Sequence, residues 1–153
     1  MGLAHILTAP HRDWLEVSDF EAGVAVTQEP LRTFSVLRHL KAVMPEGQFT
    51  FVMGADNWAD AQTGFHTWQN FEHILGLASI LILPRHPWTE KIPNCTASLI
   101  LAAQRDPASQ GPVTARCWRL MESFTGSAIT STEIRQDLQI TGTTAHLTAE
   151  QLG

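Results

Sequence analysis

Residues 49–58, Phe-Thr-Phe-Val-Met-Gly-Ala-Asp-Asn-Trp, constrain the fold of this chain more than any other stretch. Phe49, Thr50, Phe51 and Val52 are strand-prone or apolar and run directly into Met53-Gly54-Ala55. Two helix-capping residues, Asp56 and Asn57, follow. The pattern predicts a buried strand ending in a tight turn that opens a helix. In open α/β sheets that strand end is where ligands bind. Gly54, without a Cβ, lets the backbone approach a ligand closely. Asp56 then sits at the rim, able to accept hydrogen bonds from ribose hydroxyls or to orient a metal-bound water. The competing reading is an ordinary N-cap, with Asp56 bonded to the amides of the next turn.

The flanking segments extend the alternation. Gly2–Ala9 reads as the tail of a helix stopped by Pro10, and Trp14-Leu15-Glu16-Val17 as a short strand. Leu31–Val43 places Leu31, Phe34, Val36, Leu37, Leu40 and Val43 close to a 3.6 period, with Pro45 and Gly47 ending the helix. Trp68–Leu75 reads as helical, and residues 79–83 as the next strand. His86–Gly111 is looser, with a short helix expected at Ala97–Gln104. Cys117–Met121 is a further candidate strand and Ser131–Leu138 a further helix. Apolar strands alternating with helices imply an α/β fold, a parallel sheet flanked by helices.

Length and composition bound the partners. A chain of 153 residues is a prior for one domain, 1–153, large enough to bury a sizeable core. Its 44% apolar and 16% charged residues are those of a globular chain. A net charge of −5 argues against a broad nucleic-acid footprint. Cys95 and Cys117 stand apart, with no Cys-x-x-Cys pair and no histidine at zinc-ligand spacing, so buried free thiols in a reducing cytoplasm are expected and no structural metal. No apolar run approaches membrane-spanning length and no secretory signal is visible, making the cytoplasm the default.

Two further segments carry chemistry. Thr130 with Glu133 fits a capping box, so a helix starts there. A helix N-terminus suits phosphate, Ser131 and Thr132 add hydroxyl donors, and Arg135 adds a fork for phosphate oxygens. A well-capped surface helix with a solvated arginine explains the same residues. Trp68 offers an indole face on which a pyridinium ring can stack; core packing is the alternative, in a chain of five tryptophans. The histidines form no pair with catalytic spacing, and no Walker loop is present.

Taken in order, Gly54-Ala55-Asp56-Asn57, Phe65-His66-x-Trp68, a strand ending at Pro84-Arg85, and Ile129-Thr130-Ser131-Thr132-Glu133-Ile134-Arg135 resemble the bacterial nicotinate mononucleotide adenylyltransferases. The resemblance covers most of residues 1–140. It implies a Rossmann-like nucleotidyltransferase fold and transfer of AMP from ATP to nicotinate mononucleotide, giving deamido-NAD and pyrophosphate in NAD biosynthesis. By the same resemblance, Gly54, Asp56 and Asn57 line the substrate site and Trp68 stacks on the nicotinate ring. Backbone amides at Trp68 and Gln69 meet the nicotinate carboxylate. Thr33 matches a threonine whose backbone also meets the nicotinate, although Ser35 and Val36 stand where the family has Asp and Thr. Ser131, Thr132 and Arg135 match residues that hold the ATP phosphates, with Mg²⁺ bridging those phosphates. The partners implied are ATP and nicotinate mononucleotide, with neither nucleic acid nor membrane, and a homo-oligomer left open.

The chain departs from the family pattern in three places. The opening Gly-x-Phe-x-Pro-x-His-x-Gly-His loop is absent, so no catalytic residue is assigned. The expectation is a domain missing its first β-α-β portion, short at its C-terminus, with an exposed sheet edge and poor activity on its own. Asp56 and Trp68 are also a few positions further apart than usual, the surplus falling in Asp60-Ala61-Gln62-Thr63-Gly64. Two alternatives stay open: a non-catalytic nucleotide-binding module, and another nucleotidyltransferase acting on nicotinamide mononucleotide or phosphopantetheine.

Overall fold

A computed structural model describes residues 9–11, 13–18, 32–108 and 110–122. The chain divides into two compact units, Met1–Gly47 and Gln48–Gly153. In the first, a 3-10 turn spans Ala9–His11. The strand expected at Trp14–Val17 does not form: residues 15–18 are irregular and Trp14 is 70% exposed. Strand-prone residues make a strand only when a neighbour completes their hydrogen bonds. Helix α1, Thr33–Val43, matches the 3.6-residue pattern, with Val36 and Leu37 buried and Arg38 and His39 exposed. Val43, expected to face inward, is 62% exposed. Lys41 Nζ donates to the Pro45 carbonyl at 3.2 Å and the Gly47 carbonyl at 2.7 Å, satisfying oxygens just beyond the helix end.

The second unit holds the sheet. Strands β1 (Thr50–Gly54), β2 (Ser79–Leu83) and β3 (Trp118–Leu120) lie in the order β1-β2-β3, all parallel. Parallel pairing cannot be closed by a hairpin, so the intervening chain must cross over the sheet. After β1 come α2 (Ala55–Ala59), a 3-10 turn at Phe65–Thr67 and α3 (Phe71–Ile74). After β2 come a 3-10 turn at Thr89–Asn94, α4 (Thr96–Ile100) and a 3-10 turn at Ala102–Gln104. Arg105 adds a single parallel bridge to Trp118 on the far side of β3. The fold is the expected α/β arrangement, a parallel sheet flanked by helices. The β1 strand is less buried than its sequence suggested. Met53 is 5% exposed, but Val52 is 51% exposed, and among the described residues β1 pairs with β2 alone.

Two expected helices are shorter than their apolar periods. Asn70 takes a left-handed conformation (φ 56°), which separates Trp68 from α3. The segment 97–104 breaks at Leu101, whose carbonyl accepts the indole N–H of Trp118 at 2.8 Å. That bond belongs to the core. Trp58 stacks on Phe65 (4.9 Å between centroids, 10° between planes) and tilts against Trp118 at 4.9 Å. Trp58 also satisfies its N–H, donating to Ser98 Oγ at 2.8 Å. Buried indoles need such partners. Ile74, Ile80 and Ile82 complete the fully buried set. Cys95 and Cys117 are free thiols but half-buried rather than buried, and Cys95 Sγ lies 3.3 Å from Ser98 Oγ.

Candidate functional site at the β1 and β2 strand ends

In register, Gly54 at the end of β1 lies beside Leu83 at the end of β2. The chain leaving each strand therefore starts from the same edge of the sheet. From β1 it turns at once into α2, which carries Asp56 in its first turn. From β2 it passes through Pro84 to Arg85, whose amide is held by Thr89 Oγ1 at 2.7 Å. Arg85 Nη1 donates to Asp56 Oδ2 at 2.8 Å. Both side chains are about a third exposed, 30% and 29%.

Asp56 is not the N-cap. The helix starts at Ala55, Gly54 occupies the cap, and no side chain caps it. The carboxylate instead accepts from Arg85, just beyond the end of β2. Its second oxygen, Oδ1, is buried and has no hydrogen-bond partner among the described residues. A buried carboxylate oxygen left unsatisfied is costly, and a water, an ion or a ligand donor would relieve it. Gly54 also makes room inside its own turn. Its φ is −75°, an ordinary extended value, so conformational freedom is not what it supplies. A Cβ there would instead collide with Asp56 Oδ1. The group that approaches Gly54 is the aspartate of the same turn.

Trp68 lies along the same unit, half-buried, with its ring edge-on to Phe51 of β1 (6.1 Å, 76°) and to Phe65 (5.4 Å, 63°). Its Nε1 donates to the Thr63 carbonyl at 3.3 Å. Asn57 and Gln69 are exposed. Thr33 opens α1 in the other unit. Ser131, Thr132 and Arg135 lie outside the described residues. Arg85 belongs to the sequence pattern but carries no role there; its pairing becomes visible only once the parallel register sets the two strand ends side by side. The His66 Nδ1 atom is also buried without a partner among the described residues. Among the described residues, no group of three or more His, Cys, Asp or Glu side chains is placed to hold a metal, and no helix is long and apolar enough to cross a membrane.

Relatives of this chain are found among curated proteins. It is 29% identical over 125 residues to a protein of Methylorubrum extorquens named "Probable nicotinate-nucleotide adenylyltransferase", covering 79% of this chain and 63% of that one. A protein of the same name from a Ruegeria species is 30% identical over 125 residues, covering 80% and 62% respectively. A third, from Gluconacetobacter diazotrophicus, is 30% identical over 106 residues, covering 67% and 47%. The chain resembles the nicotinate-nucleotide adenylyltransferases. Its motif order and its parallel sheet agree with that resemblance, and the names of these adenylyltransferase relatives are those of transferases. The chain spans at most 63% of the length of these three relatives. No family model and no solved structure matches it.

Proposed function

We propose that this chain takes part in adenylyl transfer from ATP to nicotinate mononucleotide, yielding deamido-NAD and pyrophosphate. The observation that carries this reading is Asp56 Oδ1, buried and without a hydrogen-bond partner among the described residues, on a carboxylate that Arg85 ties to the end of β2. Such an oxygen suits a ribose hydroxyl, a neutral donor that needs no change in the Arg85 pair. The names of the relatives support the choice of nucleotide.

In this reaction the 5′-phosphate oxygen of the mononucleotide attacks the α-phosphorus of ATP in line. The new O–P bond forms as the bond to the β-phosphate oxygen breaks, and pyrophosphate leaves with that electron pair. Catalysis is then mainly positioning and charge neutralisation. Asp56 orients a ribose, and Trp68 offers its indole to the pyridinium ring. Ser131, Thr132 and Arg135 are proposed for the ATP phosphates, and Asn57 and Gln69 for the mononucleotide. Mg²⁺ arrives with ATP as part of the substrate, held by phosphate oxygens. We place the reaction in the cytoplasm.

The test is pyrophosphate release by the purified chain given ATP, Mg²⁺ and nicotinate mononucleotide. Release that depends on the mononucleotide and is lost in Asp56→Ala supports the reading. Calorimetric binding of the mononucleotide without release would make the chain a nucleotide-binding module instead. Absence of both overturns the proposal.

A further inference from the structure

We infer that Asp60 is a positioning residue for Trp68, setting the orientation of the indole through the carbonyl of Thr63. The surplus residues between Asp56 and Trp68 form a closed excursion rather than a slack loop. Asp60 ends α2, and its amide donates to the Asp56 carbonyl at 3.0 Å. A single oxygen, Asp60 Oδ1, accepts from the Gln62 amide at 2.8 Å, the Thr63 amide at 2.7 Å and the Thr63 hydroxyl at 3.0 Å. The Gly64 amide returns to the Asp60 carbonyl at 3.0 Å. Gly64 has no room for a Cβ, which would strike that same carbonyl.

The Asp60 carboxylate holds Thr63 by its amide and hydroxyl, and the Asp60 carbonyl holds the Gly64 amide, which shares a peptide plane with the Thr63 carbonyl, so Thr63 is fixed from both sides. Its carbonyl receives Trp68 Nε1. Trp68 has only two side-chain torsions, and the rings of Phe51 and Phe65 restrict both. The N–H bond then selects between the two flipped orientations of the indole that those rings leave open. Asp60 is held below the ordinary carboxylate value of 3.8, first by the Thr63 amide and then by the Gln62 amide, so the ionised acceptor is the stable form at neutral pH. Charged acceptors bind amides more tightly than neutral ones do. Asp60 thus acts on the indole through the Thr63 carbonyl.

The inference rests on the proposed stacking role of Trp68, and one set of measurements separates the two. In chain labelled with 5-fluorotryptophan, Asp60→Ala is expected to move or broaden the fluorine resonance of Trp68 and leave those of Trp58 and Trp118 in place. Asp60→Asn, which keeps an oxygen acceptor, should restore it. An unmoved Trp68 resonance in Asp60→Ala overturns the inference without any ligand present. If Asp60→Ala does not fold, Thr63→Val decides instead, deleting one of the three bonds; a smaller shift of the same resonance supports the inference and none overturns it. On titration with nicotinate mononucleotide, Asp60→Ala should weaken binding about tenfold, and have no effect in a Trp68→Phe background, where the N–H is gone. Binding indifferent to Trp68→Ala would instead overturn the stacking role.

Discussion

Asp56–Arg85 and Asp106–Arg119 are both aspartate–arginine pairs beside parallel strands, and they are finished to different degrees. Asp106 and Arg119 have side chains 0% and 9% exposed, and their closest charged atoms are 3.6 Å apart. Asp106 accepts from the Ala108 amide, the Thr114 amide and the Thr114 hydroxyl at 3.1, 2.8 and 3.0 Å. Arg119 donates to the carbonyls of Ala108, Gln110 and Gly111. The pair borders a cavity of about 330 Å³ that Arg105 and Glu122 also line. Its polar groups are engaged within the chain, so it holds the connection into β3 together. Asp56 and Arg85 are more exposed, share one short bond, and leave one oxygen without a partner among the described residues. A completed network specifies structure, whereas an incomplete one leaves a place for something else to bind.

The comparison breaks most visibly at Arg119. Arg119→Ala leaves a buried carboxylate without its cation and should lower the melting temperature by on the order of 10 °C. Arg85→Ala should change stability by less than about 1 kcal/mol, since its pair is partly solvated. Similar melting temperatures for the two variants would erase the distinction. Binding should reverse the order. Asp56→Ala is expected to weaken nicotinate mononucleotide about 10- to 100-fold, the loss of a hydrogen bond to a charged acceptor, while Arg119→Ala, assayed well below its melting temperature, should leave the affinity within about twofold.

Gly54→Ala sharpens the contrast further. The added methyl displaces Asp56 Oδ1, the end of a movable side chain, so the fold survives but the oxygen is re-aimed. Affinity should fall about tenfold with the melting temperature nearly unchanged, which calorimetry and a thermal melt read together.

The smallest expected effect is on acid stability. Asp106 is held below 3.8, first by the Thr114 amide and then by the Ala108 amide. A lowered carboxylate value means that the stabilisation is complete above 3.8 and is lost as pH falls from there through the folded value. Asp106→Asn should therefore flatten the fall in melting temperature below that pH. Asp60→Asn should flatten it less, because only the excursion to Gly64 depends on Asp60.

Much of this was legible in the residues. Val36, Leu37 and Leu40 gave α1 by their period, and the apolar runs at 49–53 and 79–83 gave two strands within a residue of their observed limits. Trp14–Val17 misled because strand propensity says nothing about whether a partner strand is present. The segment from Trp68 misled because its apolar spacing conceals the left-handed Asn70. Asp56 stands out in the sequence as a site residue, but its partner does not, since 29 positions separate it from Arg85 and only the β1–β2 register closes that gap. Asp106 and Arg119 escape notice for a related reason. They lie in or beside a segment rich in Pro, Gly and Ser that reads as loop, and only the bridge between Arg105 and Trp118 brings them together.

That loop also bears on how the chain meets a protease. Cleavage requires a length of backbone to be drawn out into the enzyme's cleft, and loop tips of small polar residues are the usual place for it. Here the carbonyls of Ala108, Gln110 and Gly111 are all held by one guanidinium, so none can be drawn out without releasing Arg119. Trypsin sites flank the loop at Arg105 and Arg116. Their cutting rate would follow the opening of this one side chain rather than the composition of the loop it holds.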